Sequence, residues 1–225
     1  GEADGVIVEP YSSEADVILP TESAKPVVLV GTGIETDRLF TSVMTDHGKL
    51  GKSLADAVIQ GKAVKVGILS GNQSQLGMRQ RLKSVKDKLE EAGIEISWIL
   101  SEKELDKKMR NVEYFAEQPV DTVISLDNDD TEKAVDIILN DDRISWKLYG
   151  EGRSEKLIYY LDKGTIQELA VPNEYYMGYQ SIVLAAQNIR YYTDKTEQAE
   201  VEFYMVSKDN LYDEETSRIL FPAVR

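Results

Sequence analysis

The sequence has no cysteine, and its 225 residues include a single histidine. The absence of cysteine excludes disulfide bonds, thiolate nucleophiles and thiolate metal ligands. It suits an exported bacterial protein, although cytosolic proteins can also lack cysteine. The lone His47 has neither a second histidine nor a cysteine to share a metal ion with, so it is a poor metal ligand. We therefore predict no metal site and no cofactor.

Clusters of basic residues and long apolar runs are also missing. The chain carries 40 acidic and 26 basic residues, which amounts to a formal net charge of −14. Binding to nucleic acid needs a basic face that neutralises phosphates, so we predict no nucleic-acid partner. Repulsion would keep this chain off an anionic membrane surface, and no apolar run is long enough to span a bilayer.

Motifs for phosphate binding and nucleophilic catalysis are absent as well. The segment 31–33 lacks the third glycine of a dinucleotide fingerprint, because Thr36 stands at that position, and there is no Walker-type loop. No serine lies in a nucleophile-elbow pattern. Paired carboxylates such as Asp127 and Glu151 could serve acid–base chemistry, but no specific motif supports it. We predict no catalytic residue and no enzyme.

The hydrophobic pattern alternates between strand-like and helix-like segments. It predicts strands at 5–9, 26–30, 42–44, 64–69, 94–100, 122–126, 145–149, 166–171 and 201–206, and helices at 13–20, 49–59, 75–92, 101–118, 131–140, 154–163 and 176–192, before a polar tail. Gly93 and Gly164 are C-cap signals, and Ser101 with Glu104 forms a capping box. This alternation is typical of an α/β protein with parallel sheets.

Three strand-to-helix junctions carry polar clusters, at 70–79, 127–130 and 150–153. Because the carboxyl ends of parallel strands meet at one edge, these clusters should converge on one crevice. Its lining would consist of carboxylates, amides and a guanidinium, which suits a neutral polyol better than it suits catalysis. We predict that the ligand-binding residues are Tyr11, Asn72, Arg79, Asp127, Asn128, Glu151, Asn173 and Tyr175.

Several of these residues have simpler structural roles open to them. Arg79 could bind adjacent ligand hydroxyls with its planar guanidinium, or pair with an acid at the surface, a role that suits Arg81 better. Asp127 could accept hydrogen bonds from two hydroxyls, because Asp129 or Asp130 can cap the following helix. Asn128 follows it as a donor and acceptor.

The remaining candidates lie at two later strand ends. Glu151 stands between two glycines and would project from a flexible turn, although a plain exposed acid is also consistent with the pattern. Asn173 could bind a sugar beside Tyr175 and Tyr176, whose rings can stack on pyranose faces, or could simply cap a helix. Trp98 and Trp146 lie within strands and are predicted to be core residues.

Six segments of the chain match motifs of one known family. They are ADGVIVEP at 3–10, MTDH through Gly51 at 44–51, LSG through RQR at 69–81, LDND at 126–129, DKG through Asn173 to MG at 162–178, and VSKDN through FP at 206–222. On these segments the chain resembles the type I periplasmic-binding-protein-like sugar-binding proteins, the ribose- and galactose-binding group. The last segment is similar to the tail of Gram-positive solute-binding lipoproteins.

The resemblance implies two doubly wound parallel-sheet lobes that close on a ligand. It places residues 1–45 with 173–203 in an N-terminal lobe and 46–172 with 204–225 in a C-terminal lobe, joined near Asp46, Asn173 and Tyr204. The family has two further βα units before Gly5, so we expect the N-terminal lobe to be incomplete, after loss of an upstream segment, and to self-associate through its open strand.

Departures from the family pattern concern the pocket. Ribose binders carry an Asp-Arg pair where this chain has Gly31-Thr32, and a pocket glutamine where it has Pro172. Glu151 corresponds to their pocket aspartate. The resemblance therefore implies the fold but not the particular sugar.

The function implied by the resemblance is that of an extracytoplasmic solute-binding protein of a sugar ABC importer. It would bind a neutral saccharide and present it to the membrane permease. Two alternatives share the fold: the sugar-sensing domain of a lac-repressor-type regulator, and a sensor that acts with a membrane kinase. An α/β enzyme is a third alternative. Lipid anchoring or a periplasmic location would follow from the importer role.

Overall fold

The computed structural model describes residues 3–14, 25–37, 40–109, 113–191 and 196–221. Within these ranges the chain alternates strands and helices, so the predicted α/β class is confirmed. The strands are β1 (Val6–Val8), β2 (Val27–Gly31), β3 (Thr41–Met44), β4 (Lys65–Leu69), β5 (Glu95–Leu100), β6 (Thr122–Ser125), β7 (Lys147–Glu151), β8 (Ile166–Pro172), β9 (Gln198–Glu200) and β10 (Phe203–Ser207). The helices are α1 (His47–Gln60), α2 (Leu76–Glu91), α3 (Glu102–Lys108), α4 (Glu113–Glu117), α5 (Asn128–Asn140), α6 (Glu155–Lys163), α7 (Glu174–Tyr191) and α8 (Glu214–Leu220).

The strands form two separate sheets. The larger sheet has the order β10-β8-β7-β6-β4-β5, with β10 antiparallel to β8 and the other pairs parallel. The smaller sheet has the order β1-β2-β3-β9 and is parallel throughout. The order of the larger sheet differs from the chain order, as expected for a sheet built from βαβ crossovers, whereas the strands of the smaller sheet lie in chain order.

Within the described ranges, the chain crosses from one sheet to the other three times. It leaves the smaller sheet after β3 and returns after β8, where α7 packs on β2 and β3. The third passage separates β9 from β10 at Val201 and Glu202. The strand predicted at 201–206 is present as β10, which begins two residues later, at Phe203, and pairs with β8. The preceding β9, which pairs with β3, was not predicted.

The larger sheet has a core on each face. Side chains of β4 alternate, with Val66 and Ile68 packing against α1 and α2, and Leu69 packing on the opposite face. That opposite core contains a cluster of three rings, Trp98, Phe115 and Trp146, whose centroids lie 5.3 to 6.0 Å apart. The prediction that both tryptophans are core residues is confirmed, since each is 7% exposed.

The smaller sheet packs against α7 through a third cluster that includes Val28, Val43 and Leu184. In the described part of the chain β1 is an edge strand of this sheet, and its Val6 and Ile7 are 45% and 41% exposed. Open strand edges invite pairing with another chain. Self-association through this edge stays a prediction.

Most helix ends follow the predicted signals. The capping box of Ser101 and Glu104 is present, and Gly93 and Gly164 adopt positive φ angles of 71° and 80°. The predicted helix 101–118 is instead two short helices, α3 and α4, while α5 begins three residues before its predicted start. The predicted polar tail contains α8. Most of the predicted helix 13–20 lies outside the described residues. No described helix is long and apolar enough to cross a membrane.

Candidate functional site

A cavity of about 610 Å³ lies between the two sheets, at the carboxyl ends of their parallel strands. This volume falls within the range of small-molecule sites in proteins. The smaller sheet contributes Glu9, Gly31 and Thr45, which end or directly follow its strands, and the larger sheet contributes Asn72, Asp127, Asn128, Glu151 and Pro172. Of the residues that the strand-end pattern predicts to converge, Asn72, Asp127, Asn128 and Glu151 line this cavity.

One arginine, Arg81, lines the cavity, and it is 5% exposed. Its Nε donates to Nδ1 of His47 at 3.0 Å, and its Nη1 donates to the carbonyl oxygen of Leu126 at 2.5 Å. The same Nη1 lies 3.4 Å from Oε2 of Glu151. Arg81 therefore joins the start of α1 to the ends of β6 and β7.

The buried His47 extends this network to the smaller sheet, since its Nε2 lies 2.7 Å from the carbonyl oxygen of Gly31. Because Nδ1 accepts from Arg81, the proton is on Nε2, which donates to that carbonyl. Burial, together with the charge of Arg81, lowers the pKa of His47 to about 4. The imidazole is therefore neutral at neutral pH and connects the two sheets without adding charge.

The two arginines of α2 exchange the places that the sequence suggested for them. Arg79 was expected in the crevice and Arg81 at the surface, but Arg81 is buried and Arg79 is not among the cavity-lining residues. A signal for this was present, because the buried positions of α2 are Gly77, Arg81, Val85 and Leu89. This spacing of four marks one face of a helix, and Arg81 lies on it.

Arg79 lies outside the cavity and contacts residues that belong to the side of the smaller sheet. Its Nη2 lies 2.8 Å from Oε1 of Glu35 and donates to Oγ of Ser13 at 3.0 Å. Its Nη1 donates to the carbonyl oxygens of Gln73 and Ser74. All the contacts described for this guanidinium are with the protein, so its alternative role as an arginine paired with an acid is the one observed.

Asp127 both caps a helix and lines the cavity. Its Oδ1 accepts from the backbone N–H of Asp130 at 2.8 Å, so Asp127 itself is the N-cap of α5. The expectation that Asp129 or Asp130 would cap this helix is wrong, because α5 begins at Asn128. Gly71, at a φ of 65°, lies so close that a Cβ there would be 2.2 Å from Oδ2 of Asp127. Burial is the main cause that raises the pKa of Asp127.

Asp130 is completely buried, and it also lines the cavity. Its Oδ1 lies 3.2 Å from Nζ of Lys133. Burial, and then the neighbouring Asp127, raise the pKa of Asp130 to about 6. In the sequence, nothing distinguishes Asp130 from an ordinary acid in a first helical turn.

Asn128 lines the cavity, yet its amide oxygen has a structural role. Oδ1 accepts from the backbone N–H groups of Arg153 and Ser154, at 3.2 and 3.3 Å. These bonds hold the loop between β7 and α6 against the start of α5. Asn128 therefore shapes the wall of the cavity as well as lining it.

Glu151 is the last residue of β7, and it is 7% exposed. The expectation of a flexible turn is wrong here, because the β7–β8 pairing extends to Glu151, opposite Ala170. Burial raises the pKa of Glu151 to about 7; the charge of Arg81 opposes this rise, while Asp127 and Glu174 add to it. The side chain points into the cavity wall with Arg81 as its charge partner.

The other predicted residues divide between cavity and surface. Asn72 and Tyr11 both line the cavity, and Nδ2 of Asn72 donates to the carbonyl oxygen of Tyr11 at 3.1 Å. Asn173 and Tyr175 are not among the lining residues. Oδ1 of Asn173 accepts from the backbone N–H of Tyr176 at 3.1 Å, which is the capping role, and Tyr175 is 69% exposed.

Several lining residues were not predicted from the sequence. They include Glu9, Thr32, Thr45, His47, Arg81, Glu102 and Glu174. Thr45 directly follows β3, and its Oγ1 is buried with no hydrogen-bond partner among the described residues. Glu9 follows β1 in the same way, so the strand-end rule would have found both had it been applied to the smaller sheet. No group of three or more His, Asp or Glu side chains in the described ranges is placed to hold a metal ion.

Comparison with known proteins identifies relatives of this fold. A family model described as the periplasmic binding protein domain matches residues 1–192. No curated protein matches the sequence.

Solved structures match over nearly the whole chain. A carbohydrate transporter solute binding protein from Agrobacterium radiobacter, in complex with D-arabinose, has a TM-score of 0.85 at 16% identity, over 96% of this chain and 78% of that one. A Caulobacter myo-inositol binding protein bound to myo-inositol has a TM-score of 0.83 at 19% identity, over 97% and 78% of the two chains. A glucose-galactose binding protein from Geobacillus stearothermophilus has a TM-score of 0.79 at 21% identity, over 94% and 79%. At these identities the likeness is one of fold.

Proposed function

Since this chain belongs to the periplasmic binding protein domain family, we propose that it is the extracytoplasmic solute-binding protein of a sugar ABC importer. The observation that carries the proposal is the cavity, whose polar lining comes from both sheets and surrounds one buried arginine. A site of this kind recognises a small polar molecule by hydrogen bonds from two sides. Its partner is then the membrane permease of the importer.

The binding mechanism is closure of two lobes around the ligand. We assign residues 1–45 and 173–203 to one lobe and 46–172 and 204–225 to the other, which follows the division of the strands between the sheets, apart from Phe203 at the start of β10. Three connecting segments join the lobes, and hinges of this kind absorb backbone rotation in a few residues. The cavity between the sheets would open and close with this rotation.

A saccharide is the ligand class that the cavity supports. Carboxylates accept hydrogen bonds from hydroxyl pairs, and amides and guanidinium groups complete the set of donors. We propose that Tyr11, Asn72, Asp127, Asn128 and Glu151 bind the ligand, with Arg81 in the place first given to Arg79. Some structural relatives were solved with D-arabinose or myo-inositol, both polyhydroxylated molecules. In this proposal these residues bind and release the ligand and do not catalyse a reaction of it.

A calorimetric titration against pentoses, hexoses, inositols and their amino derivatives tests this function. We expect saturable one-to-one binding by at least one of them, and loss of that binding in the Asp127→Asn variant. The matched control is Asp87→Asn, which removes a carboxylate from the exposed face of α2, where Asp87 pairs with Lys83. A folded protein that binds none of these compounds would contradict the proposal.

A further inference from the structure

The cavity lining has a strong excess of negative charge. Seven of its residues carry carboxyl groups, whereas Arg81 is the one lysine or arginine among the lining residues of the described chain. The carboxyl groups belong to Glu9, Glu102, Asp127, Asp129, Asp130, Glu151 and Glu174. His47 adds no positive charge, since its Nδ1 accepts a hydrogen bond from Arg81.

Arg81 cannot neutralise this group of acids alone. Its Nε is bonded to His47 and its Nη1 to the carbonyl oxygen of Leu126, so much of its donor capacity goes to neutral protein groups. Its one ion pair within the described residues is with Glu151, at 3.4 Å. A guanidinium offers five N–H donors in a fixed plane. It therefore partly compensates Glu151. Outside the lining, Lys133 lies 3.2 Å from Asp130 and Arg153 lies 3.0 Å from Glu174. The remaining lining acids, Glu9, Glu102, Asp127 and Asp129, have no ion pair within the described residues.

The acids face each other from both sides of the cavity. Glu9 follows a strand of the smaller sheet, Asp127 and Glu151 end strands of the larger sheet, and Glu174 begins α7. Burial, and then the charge of Glu174, raise the pKa of Glu9. Both Asp127 and Glu174 likewise oppose ionisation of Glu151, after the larger effect of burial. The negative charge is thus concentrated where a ligand would lie.

Two kinds of cation, metal ions and quaternary ammonium ions, fit this lining poorly. No described group of His, Asp and Glu side chains is placed to hold a metal ion. A quaternary ammonium ion is recognised by a cage of aromatic rings, but Tyr11 is the one Phe, Tyr or Trp among the described lining residues. A primary ammonium group can instead donate three hydrogen bonds to carboxylates.

We propose that the ligand is an amine-bearing polyol, such as an amino sugar, whose ammonium group lies among Glu9, Asp127 and Glu151. This inference rests on the proposed function and names the charge of its ligand, which differs from the neutral saccharide that the sequence suggested. A neutral ligand would leave the half-buried Asp127 and the more exposed Glu9 without a cationic partner among the described residues, although both carboxylates line the cavity. An ammonium group replaces water at these carboxylates with charge-assisted hydrogen bonds.

The uncharged polar groups of the cavity explain why the ligand also needs hydroxyls. The buried Oγ1 of Thr45 has no partner among the described residues, and Asn72 adds a side-chain amide. A linear polyamine has no hydroxyl groups to pair with these positions. An aminated polyol supplies both kinds of group, since its ring or chain carries several hydroxyls beside the ammonium.

Titration calorimetry with matched ligands tests the proposal. The probes are D-glucose, D-glucosamine and N-acetyl-D-glucosamine, the same three forms of galactose and mannose, and putrescine, all at neutral pH and low salt. We expect an amino sugar to bind roughly tenfold or more tightly than its hydroxyl and acetylated counterparts, the factor typical of one charge-assisted hydrogen bond. Added salt should reduce this preference.

Variants of single acids locate the ammonium group. We expect Glu9→Gln, at the exposed mouth of the cavity, and Asp127→Asn to reduce the preference for the amine over the hydroxyl form, while Asp87→Asn keeps it. Because Glu9 lies at the surface, its variant should fold even if a buried substitution does not. Equal loss of amino-sugar and neutral-sugar binding in both variants would contradict the placement of the ammonium group.

The ligand panel separates failure of this inference from failure of the proposed function. If neutral sugars bind as tightly as their amino forms, the charge of the ligand is wrong and the saccharide-binding function stands. If putrescine binds and no saccharide does, both the aminated polyol and the saccharide function are contradicted. If a folded protein binds no member of the panel and none of the pentoses, inositols and their amino derivatives, both are likewise overturned.

Discussion

Arg79 of α2 and Glu35 of the segment after β2 form an ion pair of 2.8 Å that joins the two sides of the cavity from outside it. The same guanidinium donates to Oγ of Ser13, and Oγ of Ser13 donates to Oε2 of Glu35 at 3.0 Å. Backbone hydrogen bonds continue the contact, from the N–H of Ser13 to the carbonyl of Ser74 and from the N–H of Glu35 to the carbonyl of Ser13. We infer that this group of contacts holds the two sides of the cavity together in the ligand-free protein.

Arg79→Ala should therefore weaken ligand affinity although Arg79 does not line the cavity. An exposed ion pair contributes about 0.2–1 kcal/mol, which corresponds to a few-fold increase in Kd. Calorimetry measures the Kd, and small-angle scattering of the ligand-free protein should show a larger radius of gyration. The control is Arg143→Ala, which removes an exposed ion pair with Glu113. Because Arg143 has no described contact with the smaller sheet, this variant should change neither quantity. Equal Kd values for wild type and Arg79→Ala would refute the prediction.

Arg81→Leu should destabilise the fold far more than Arg79→Leu. It leaves the buried Glu151 without its charge partner, and breaking a buried pair costs about 3–5 kcal/mol. Urea denaturation of the ligand-free protein measures the free energy of unfolding. The double variant Arg81→Leu with Glu151→Leu should recover part of the loss, since no buried charge of this pair is then left unmatched. A single Arg81→Leu variant that loses less than about 1 kcal/mol would mean that the pair is unimportant for stability.

Asp127→Ala and Asp127→Asn should separate capping from binding. Alanine removes the N-cap of α5 and should lower the free energy of unfolding by about 0.5–2 kcal/mol, whereas asparagine keeps a capping oxygen. Both variants lose the carboxylate and should weaken ligand binding alike. Thermal denaturation and calorimetry measure the two effects. Equal stabilities of the two variants would mean that the bond to the N–H of Asp130 contributes little.

The free energy of unfolding should depend on pH through the titration of Glu151. Its pKa rises from 4.5 to about 7 in the folded protein, so the folded state binds its proton more tightly than the unfolded chain. Glu151 therefore stabilises the fold most below pH 4.5, and this contribution is lost as pH rises towards about 7, by at most ~1.4 kcal/mol per pH unit. Glu151→Gln removes this dependence. If wild type and variant lose stability in parallel across this window, Glu151 does not titrate as described.

His47 should remain neutral down to about pH 5, with its proton on Nε2. Its folded-state pKa of about 4 lies below the ordinary 6.5, so folding opposes protonation between these values and stability from this group rises with pH there. Because the chain has one histidine, the ring nitrogens can be assigned directly in a long-range ¹H–¹⁵N NMR spectrum. A ring that titrates near pH 6.5 would contradict the bond from Arg81 to Nδ1.

The fold follows from local patterns to a large extent. Alternation of apolar strands with capped helices predicts an α/β protein, and the rule that parallel strands end at one edge places Asn72, Asp127 and Glu151 in one cavity. These predictions succeed because side-chain periodicity and the handedness of βαβ units depend on the backbone alone. Capping at Ser101 and the turn at Gly164 are local for the same reason.

The roles of the individual polar groups were decided by the tertiary structure. Arg81 and not Arg79 enters the cavity because α2 packs against α1, where its face with Gly77 and Val85 is buried. The strand β9, which the sequence pattern did not predict, forms because residues 198–200 pair with β3 of the smaller sheet. Burial, charge pairing and sheet membership depend on residues distant in sequence. The sequence by itself therefore determined the architecture and the edge where the cavity lies, while packing between distant elements determined which side chains line it and with what charge.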